Sequence, residues 1–242
     1  MARMNKLGQP IGEPLPNWES VARPTRTPIE GRFVRIEPLD VNRHLQDLFE
    51  AAAVDDEGRI WTYLFVGPYQ SASEMRQWLE PAASSGDPLY YALVDRSTGK
   101  ATGVASYLRI QPEHGVIEIG NILYSPLLQR TAAATEAMYL FMCRVFDELG
   151  YRRYEWKCDS LNLGSRKAAE RLGFQYDGLF PQAIVYKGRN RDTAWYSILD
   201  KDWPRLKQAF EKWLSAENFD KMGRQRKRLE DFVEDAGPAS TR

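Results

Sequence analysis

Two stretches of this chain combine residue types at spacings that can do chemistry. The first runs from Glu118 to Ala137, EIGNILYSPLLQRTAAATEA. It opens as an extended apolar run, with Ile117 just before it and Ile119, Ile122 and Leu123 within it, and breaks at Ser125-Pro126. It then crosses the polar loop Gln129-Arg130-Thr131 and enters an alanine-rich helix. A helix that starts this way leaves its first backbone N–H groups without intrahelical partners. With the positive end of the helix dipole, those groups attract an anion such as a phosphate. Ala132 stands where a phosphate loop usually carries glycine. Taken alone, the stretch reads equally as a plain strand–loop–helix unit. The second stretch is Asn162 to Phe174, NLGSRKAAERLGF. Asn162 is a good N-cap, Ser165 in the first turn can reach backbone or ligand, and Gly173 stops the helix. Its other reading is a capped amphipathic helix.

The elements that must position these residues follow from periodicity and turn chemistry. Residues 1–30 carry Pro10, Pro14, Pro16, Pro24 and Pro28 and read as an extended arm, draped or loose, that Trp18 could anchor. A first strand spans Phe33 to Glu37, and Leu45, Leu48, Phe49 and Ala52 fall at helical spacing. After the aromatic segment 60–65, Ser71 and Glu74 form a capping box for a helix whose apolar side is Met75, Trp78 and Leu79. Strand patterns follow at 89–94, 101–110 and 116–124, then a helix from about 132 to 149, closed by Gly150. A strand at 154–158, a helix at 162–172, two strands near 174–187 and 192–200, and a helix carrying Leu206, Phe210, Trp213 and Leu214 complete the chain. The order βααβββαβαββ plus a C-terminal helix calls for an α/β domain with a mixed sheet and helices on both faces.

Composition narrows the partners. Thirty-three basic and thirty-three acidic residues cancel, so global charge favours neither nucleic acid nor a membrane surface. No apolar run approaches the roughly 18 residues of a membrane span. The two cysteines, Cys143 and Cys158, lack metal-ligand spacing and fit buried thiols in a reducing compartment, so a cytoplasmic protein without a metal is expected.

Together the two stretches resemble the GNAT N-acetyltransferases, in particular the branch of the RimJ/RimL ribosomal-protein N-terminal acetyltransferases. In that family a pyrophosphate loop reads Q/R-x-x-G-x-G/A, and its equivalent here is Gln129-Arg130-Thr131-Ala132-Ala133-Ala134. Thr135-Glu136-Ala137 extends Ala134 into the ATEA common in this branch. The motif N-x-x-S-x-x-x-x-x-x-L-G-F is matched in full from Asn162 to Phe174, and GRFVRIEPLD from Gly31 to Asp40 is similar to the branch's first strand. The resemblance covers roughly residues 31–200. It implies a GNAT-like, mostly antiparallel central sheet over 31–200, with the arm at 1–30 and a C-terminal helix and charged tail at 201–242.

The activity implied is acetyl transfer from acetyl-CoA to a primary amine, on a small molecule or a protein N-terminus. The pyrophosphate would rest on the amides of 130–134, with Arg130 adding charge and Thr135 a hydroxyl. Ala132 would weaken or re-angle that cradle, because a Cβ crowds it. The pantetheine arm would run beside the strand ending at Tyr124, with a backbone N–H near Ile122 or Leu123 polarising the thioester carbonyl. Glu118 is the candidate base, at a spacing before Gln129 similar to that of the catalytic glutamate in histone-acetylating relatives. Flanked by Ile117 and Ile119, its carboxyl would be raised by burial; the other reading is a glutamate facing solvent or paired with Arg109. Ser165 is the candidate proton donor to the leaving thiolate, with Tyr186 in reserve, and Asn162 would shape the turn and touch the cofactor.

Three function classes remain open at this level: the transferase, a catalytically weak or inactive CoA-binding protein of the same fold, and an interaction module. The oligomeric state is open between monomer and homodimer. The loop 187–193 reads as a solvated hairpin tip or as a contact for an acidic substrate or the CoA 3′-phosphate. His44 and His114 are expected at the surface, and the basic run 224–228 in a solvated helix and tail.

Overall fold

The computed structural model describes residues 3–237. Three two-residue strands come first: β1 (Arg3–Met4), β2 (Pro10–Ile11) and β3 (Ile29–Glu30). They are followed by β4 (Val34–Pro38), α1 (Val41–Ala53), α2 (Ala72–Ser84), β5 (Leu89–Asp95), β6 (Ala101–Gln111) and β7 (Val116–Tyr124). Next come α3 (Ala132–Cys143), β8 (Arg153–Asp159), α4 (Leu163–Arg171), β9 (Gln175–Tyr186) and β10 (Arg189–Leu199). Two further helices, α5 (Trp203–Leu214) and α6 (Leu229–Asp235), end the described chain. From β4 to α5 this is the order that periodicity predicts.

One eight-stranded sheet runs β3-β4-β5-β6-β7-β8-β10-β9. Every neighbouring pair in it is antiparallel except β7 and β8. A parallel pair needs a crossover, and α3 supplies it. Side-chain alternation along the strands then sorts the apolar residues into two cores. On one face Tyr91, Tyr107, Ile117 and Tyr154 pack with Phe141 of α3 and Phe210 of α5. On the other, Ala92, Val104 and Leu123 pack with Leu48 of α1 and Leu79 of α2. Each fully buried Leu or Phe contributes about 1.5–3 kcal/mol, so both helical layers hold the sheet.

Within α3 one carboxylate is buried where an apolar residue would be the rule. Glu136, 5% exposed, accepts backbone hydrogen bonds from Arg32 (2.8 Å), Phe33 (2.6 Å) and Val34 (2.9 Å) at the entry to β4. Gly31 makes room for this turn, since a Cβ there would stand 2.6 Å from Glu136 Oε2. The glycine of GRFV and the glutamate of ATEA are therefore one structural unit, which ties the first long strand to α3.

The arm is draped. Trp18 Nε1 donates to the Glu113 carbonyl at 2.9 Å, and its ring lies against Gly115, where a Cβ would come within 2.5 Å. Arg144, buried, donates to the carbonyls of Thr27 (2.7 Å) and Pro28 (3.2 Å). It begins the segment Arg144–Glu148, where the helix widens to a π turn that apolar periodicity had merged with α3.

Three expectations need correction. His44 is not at the surface: it is 3% exposed, with Nε2 3.2 Å from Glu37 Oε2 and Nδ1 accepting from the Asp40 amide at 3.0 Å. Desolvation by this burial lowers its pKa, against the pull of Glu37. The basic run 224–228 precedes α6 in a loop, with Arg224 paired to Asp220, Lys227 to Asp235 and Arg228 to Asp231. At α2, Ser71 Oγ caps the Glu74 amide (3.2 Å), but the Glu74 carboxylate reaches the Gln70 amide (2.9 Å), not that of Ser71. Residues 1–2 of the arm and 238–242 of the tail lie outside the described residues.

Replacing Glu136 with Ala orphans three backbone donors, that of Val34 buried and those of Arg32 and Phe33 partly so, at about 1–3 kcal/mol for a buried one and less for the others. Urea unfolding of Glu136→Ala should show a loss of about 3 kcal/mol, and Glu136→Gln a smaller one.

Candidate active site

The site begins with a defect in β7. Between the pairs Val104↔Leu123 and Ser106↔Gly120, β7 holds one residue more than β6. Asn121 takes up the bulge in the left-handed region, φ 50°, which asparagine tolerates better than most residues. Its Nδ2 donates to Ser106 Oγ at 2.9 Å, and that hydroxyl donates to the Gly120 carbonyl at 3.2 Å. The extra residue inverts the alternation. Ile117 and Ile119 belong to the α3-side core, and beyond the bulge so do Ile122 and Tyr124, while Leu123 joins the α1/α2 side.

At the other edge, β7 pairs with β8 only from Val116↔Arg153 to Ile119↔Trp156. Strand β8 continues against β10 as far as Asp159↔Thr193. The two parallel strands thus part after Ile119 and Trp156, and among the described residues this edge of β7 over Gly120–Tyr124 has no strand partner.

On the α3 side of the gap stands the start of α3. Thr131 Oγ1 caps the Ala134 amide at 3.1 Å and donates to the Leu128 carbonyl at 2.7 Å. The amides of Arg130, Ala132 and Ala133 have no acceptor among the described residues. Arg130 itself is exposed at φ 61°, and Gln129 Nε2 ties the loop to the Tyr124 carbonyl at 2.8 Å. Thr135, expected to offer its hydroxyl to an anion, is instead buried and accepts from Arg171 Nη1 at 3.1 Å. Asn162 Oδ1 caps the Ser165 amide (3.0 Å), and Ser165 Oγ accepts from Trp156 Nε1 (3.0 Å). Trp156 and Cys158 belong to the α3-side core, which puts Ser165 on this face.

The opposite face carries charge. Glu118 Oε2 lies 2.8 Å from Lys157 Nζ and 3.3 Å from Arg109 Nε. Lys157 Nζ also meets Glu155 at 2.7 Å and sits 3.7 Å from the centroid of the Trp195 ring. Arg153 joins Glu155 (2.7 Å) to Asp177 (2.6 Å). Burial raises the Glu118 carboxyl above its ordinary range, and the cations Lys157 and Arg109 offset only part of that. For Glu155 desolvation pushes the same way, but the hydrogen bonds from Lys157 and Arg153 outweigh it and its carboxyl is lowered.

Tyr186 is on this face too. Its hydroxyl donates to Asp159 Oδ2 at 2.8 Å, and burial with that acceptor pushes the phenol up to about 12. The loop after it is exposed over residues 187–190, as a hairpin tip would be, but it is tethered: Lys187 Nζ donates to the carbonyls of Trp61 (2.9 Å), Val66 (3.0 Å) and Gly67 (2.8 Å). Arg189 Nη2 adds a bond to the Thr62 carbonyl at 2.7 Å. The β9–β10 hairpin is thereby clamped onto segment 59–67. Beside the bulge an apolar recess of about 80 Å³ is lined by Phe65, Trp78, Tyr90, Asn121 and Leu123 among others.

Glu118 and Tyr186 therefore share one face, Asn162 and Ser165 the other, and the gap between β7 and β8 lies between them. Sequence reasoning missed Lys157, Asp159 and Asn121. Only Asn121 left a local signal, a Gly-Asn pair inside a strand pattern. Among the described residues no group of three His, Cys, Asp or Glu is arranged to hold a metal, and no helix is long and apolar enough to cross a membrane.

The family model described as acetyltransferase (GNAT) domain matches residues 34–175. A GCN5-related N-acetyltransferase from Brucella melitensis superimposes with a TM-score of 0.89 at 50% identity, covering 91% of this chain and 100% of that one. A probable acetyltransferase of the GNAT family from Chromobacterium violaceum gives 0.74 at 40% identity, covering 81% and 98%. The uncharacterized N-acetyltransferase p20 of Bacillus licheniformis is 26% identical over 144 residues, 58% of this chain and 80% of its own length.

The bulge should be costly to a β-branched residue. Asn121→Val forces a left-handed backbone on valine and removes the bond to Ser106, a combined loss of about 2 kcal/mol in urea unfolding. Asn121→Gly, which adopts that backbone freely, should lose less than half of this.

Proposed function

Because the chain belongs to the GNAT acetyltransferase family, matched over residues 34–175, we propose that it moves an acetyl group from acetyl-CoA directly to a primary amine. One observation carries the reading. Among the described residues, the parting of β7 and β8 leaves a strand edge without a partner, close in sequence to a helix start whose first amides have no acceptor. A solved structure of the same fold, the microcin C7 self-immunity acetyltransferase, is 18% identical with a TM-score of 0.61 and holds acetyl-CoA and AMP. That supports the choice of cofactor.

The residues present fit the group. The amides of Arg130, Ala132 and Ala133 and the Arg130 side chain would hold its diphosphate, with Gln129, Thr131 and Ala134 shaping the turn. Thr135 drops out of the cradle because Arg171 engages its hydroxyl. The edge of Ile122, Leu123 and Tyr124 would pair with the pantetheine arm, and Asn162 and Ser165 would flank it. Bound there, acetyl-CoA supplies an acetyl thioester.

Glu118 would take the proton that the acceptor ammonium must lose before attack. A raised carboxyl makes it a better base than an exposed glutamate, and Lys157 at 2.8 Å offsets part of that rise. A backbone N–H of Ile122 or Leu123 would donate to the carbonyl oxygen as charge builds there. Ser165 Oγ accepts from Trp156, and its own hydroxyl proton would be the one offered to the departing sulfur. Tyr186 donates to Asp159 and is the weaker candidate for that step. We assign the transferase unit to residues 31–200, with 1–30 and 201–242 as appendages. The full Asn162–Phe174 motif favours the RimJ/RimL-type branch.

Glu118→Gln should lower kcat by roughly 10²–10⁴-fold with a responsive amine, while calorimetry finds acetyl-CoA affinity unchanged. The sign of the pH effect follows from the upward shift. In the wild type kcat/KM should climb as Glu118 loses its proton, along a limb above the ordinary carboxylate value of 4.5, and that limb should vanish in the variant. Undiminished turnover in Glu118→Gln would remove it as the base.

A further inference from the structure

The register of β5, β6 and β7 lays side chains in rows on the face covered by α1 and α2. Leu108 and Glu118 pair in one row, Tyr90, Ser106 and Gly120 in the next, and Ala92, Val104 and Leu123 in the one after. At its β7 end the middle row has only a glycine and therefore no side chain. The apolar recess of about 80 Å³ is lined from both ends of this row, by Tyr90 and by Asn121 of the bulge, and from the next row by Leu123. Leu64, Phe65 and Val66 line it from the 59–67 segment, which Lys187 and Arg189 hold in place, and Trp78 lines it from α2. None of these residues is charged, and Asn121 Nδ2 is engaged by Ser106 Oγ.

Glu118 is turned toward the same row. Its Oε2 meets Lys157 and Arg109. Its Oε1 leans along β7, where a Cβ built at Gly120 would stand 3.4 Å from it. Successive rows on one face are about 7 Å apart, so this oxygen lies within about one row of the recess wall at Asn121. An amine bound on Oε1 stands beside Gly120, and the group that carries it has the recess next to it. Size and lining then select that group. An apolar cavity of about 150 Å³ takes up benzene, so the recess, at about 80 Å³, holds a few carbons and not a ring. A charged group entering it would give up water without meeting a countercharge.

We infer that the recess between Tyr90 and Asn121 is the acceptor's side-group subsite, and that the amine to be acetylated is carried by an uncharged aliphatic group of about three or four carbons. This rests on the assignment of Glu118 as the base. It gives the acceptor a chemical class, a short aliphatic group beside a primary amine, and gives the 59–67 segment a role in selecting it.

The test reads thiol release from acetyl-CoA by the wild-type enzyme with two series of acceptors. One is the linear alkylamines from methylamine to hexylamine, whose basicities are alike. The other is amidated tripeptides that differ only in a first residue of Gly, Val, Leu or Phe. Values of kcat/KM should rise about 4- to 10-fold per methylene as far as butylamine, or from Gly to Val and Leu, and fall at hexylamine or Phe. A rise in the alkylamines alone marks a small-molecule acceptor, and in the peptides alone a protein N-terminus; either supports the inference. Val66→Phe, which fills the recess, should move the optimum to shorter groups, and Val66→Ala to longer ones. Opposite shifts of this kind do not come from misfolding. Flat rates across both series in the wild type overturn the subsite whether or not the variants fold, as does an optimum that neither variant moves. So does a length dependence found with acetyl-, propionyl- and butyryl-CoA instead of with the amines, which gives the recess to the donor. Turnover without preference that is still lost in Glu118→Gln sinks the subsite alone, whereas no thiol release with any amine sinks the base with it.

Discussion

A strand can hydrogen-bond to both neighbours only while its backbone stays in phase with each, and β7 loses phase with β6 at Asn121. The extra residue rotates the chain, so that Ile122 and Tyr124 turn to the side Ile117 and Ile119 faced before it. A strand turned this way cannot continue a parallel ladder with β8, and the ladder ends at Ile119↔Trp156. The sheet is nevertheless not cut in two. Four paired residues below the parting, and the α3-side core spanning both halves, hold β7 and β8 at a fixed separation. The result is an opening with a bare strand edge, made without leaving any element unsupported.

That opening separates two chemical environments. The α3 side offers backbone amides and small hydroxyls, suited to a diphosphate and its attached arm. The other side holds Arg109, Glu118, Lys157, Glu155, Arg153 and Asp177 in a chain of alternating charge. Alternation matters because each buried charge is compensated by the next, and a lone carboxylate at Glu118 would be driven neutral. Burial still wins at Glu118, leaving its carboxyl raised, whereas Glu155, gripped by two cations, is lowered. Two neighbouring glutamates are thus given opposite tendencies by their partners.

Segments distant in sequence are fixed around this centre by polar groups acting on backbone. Glu136 holds the entry to β4, Arg144 holds the arm at Thr27 and Pro28, and Lys187 holds three carbonyls of the 61–67 segment. In each case one charged side chain satisfies several main-chain groups at once. The last of these clamps brings Phe65 against Tyr186 and Arg191, and so sets two remote loops side by side on the Glu118 face.

The sequence by itself determined the order of elements, the two helical layers, the cap at Asn162 and the helix that begins at residue 132. All of these are local: a period of two or 3.6, a proline, a glycine, a capping side chain. It also carried the family resemblance through the Asn162–Phe174 motif and the GRFV and ATEA stretches, though not the reason those last two belong together, which is the Gly31–Glu136 contact. Only the tertiary structure decided that His44 is buried, that Thr135 is engaged by Arg171, that Lys157 meets Glu118, and that Arg191 lies against Phe65. Each depends on which residues of remote strands come to the same face, and a one-residue bulge at Asn121 is enough to reverse that choice. A face is a property of strand register, and register is set by pairing between segments that no local pattern records.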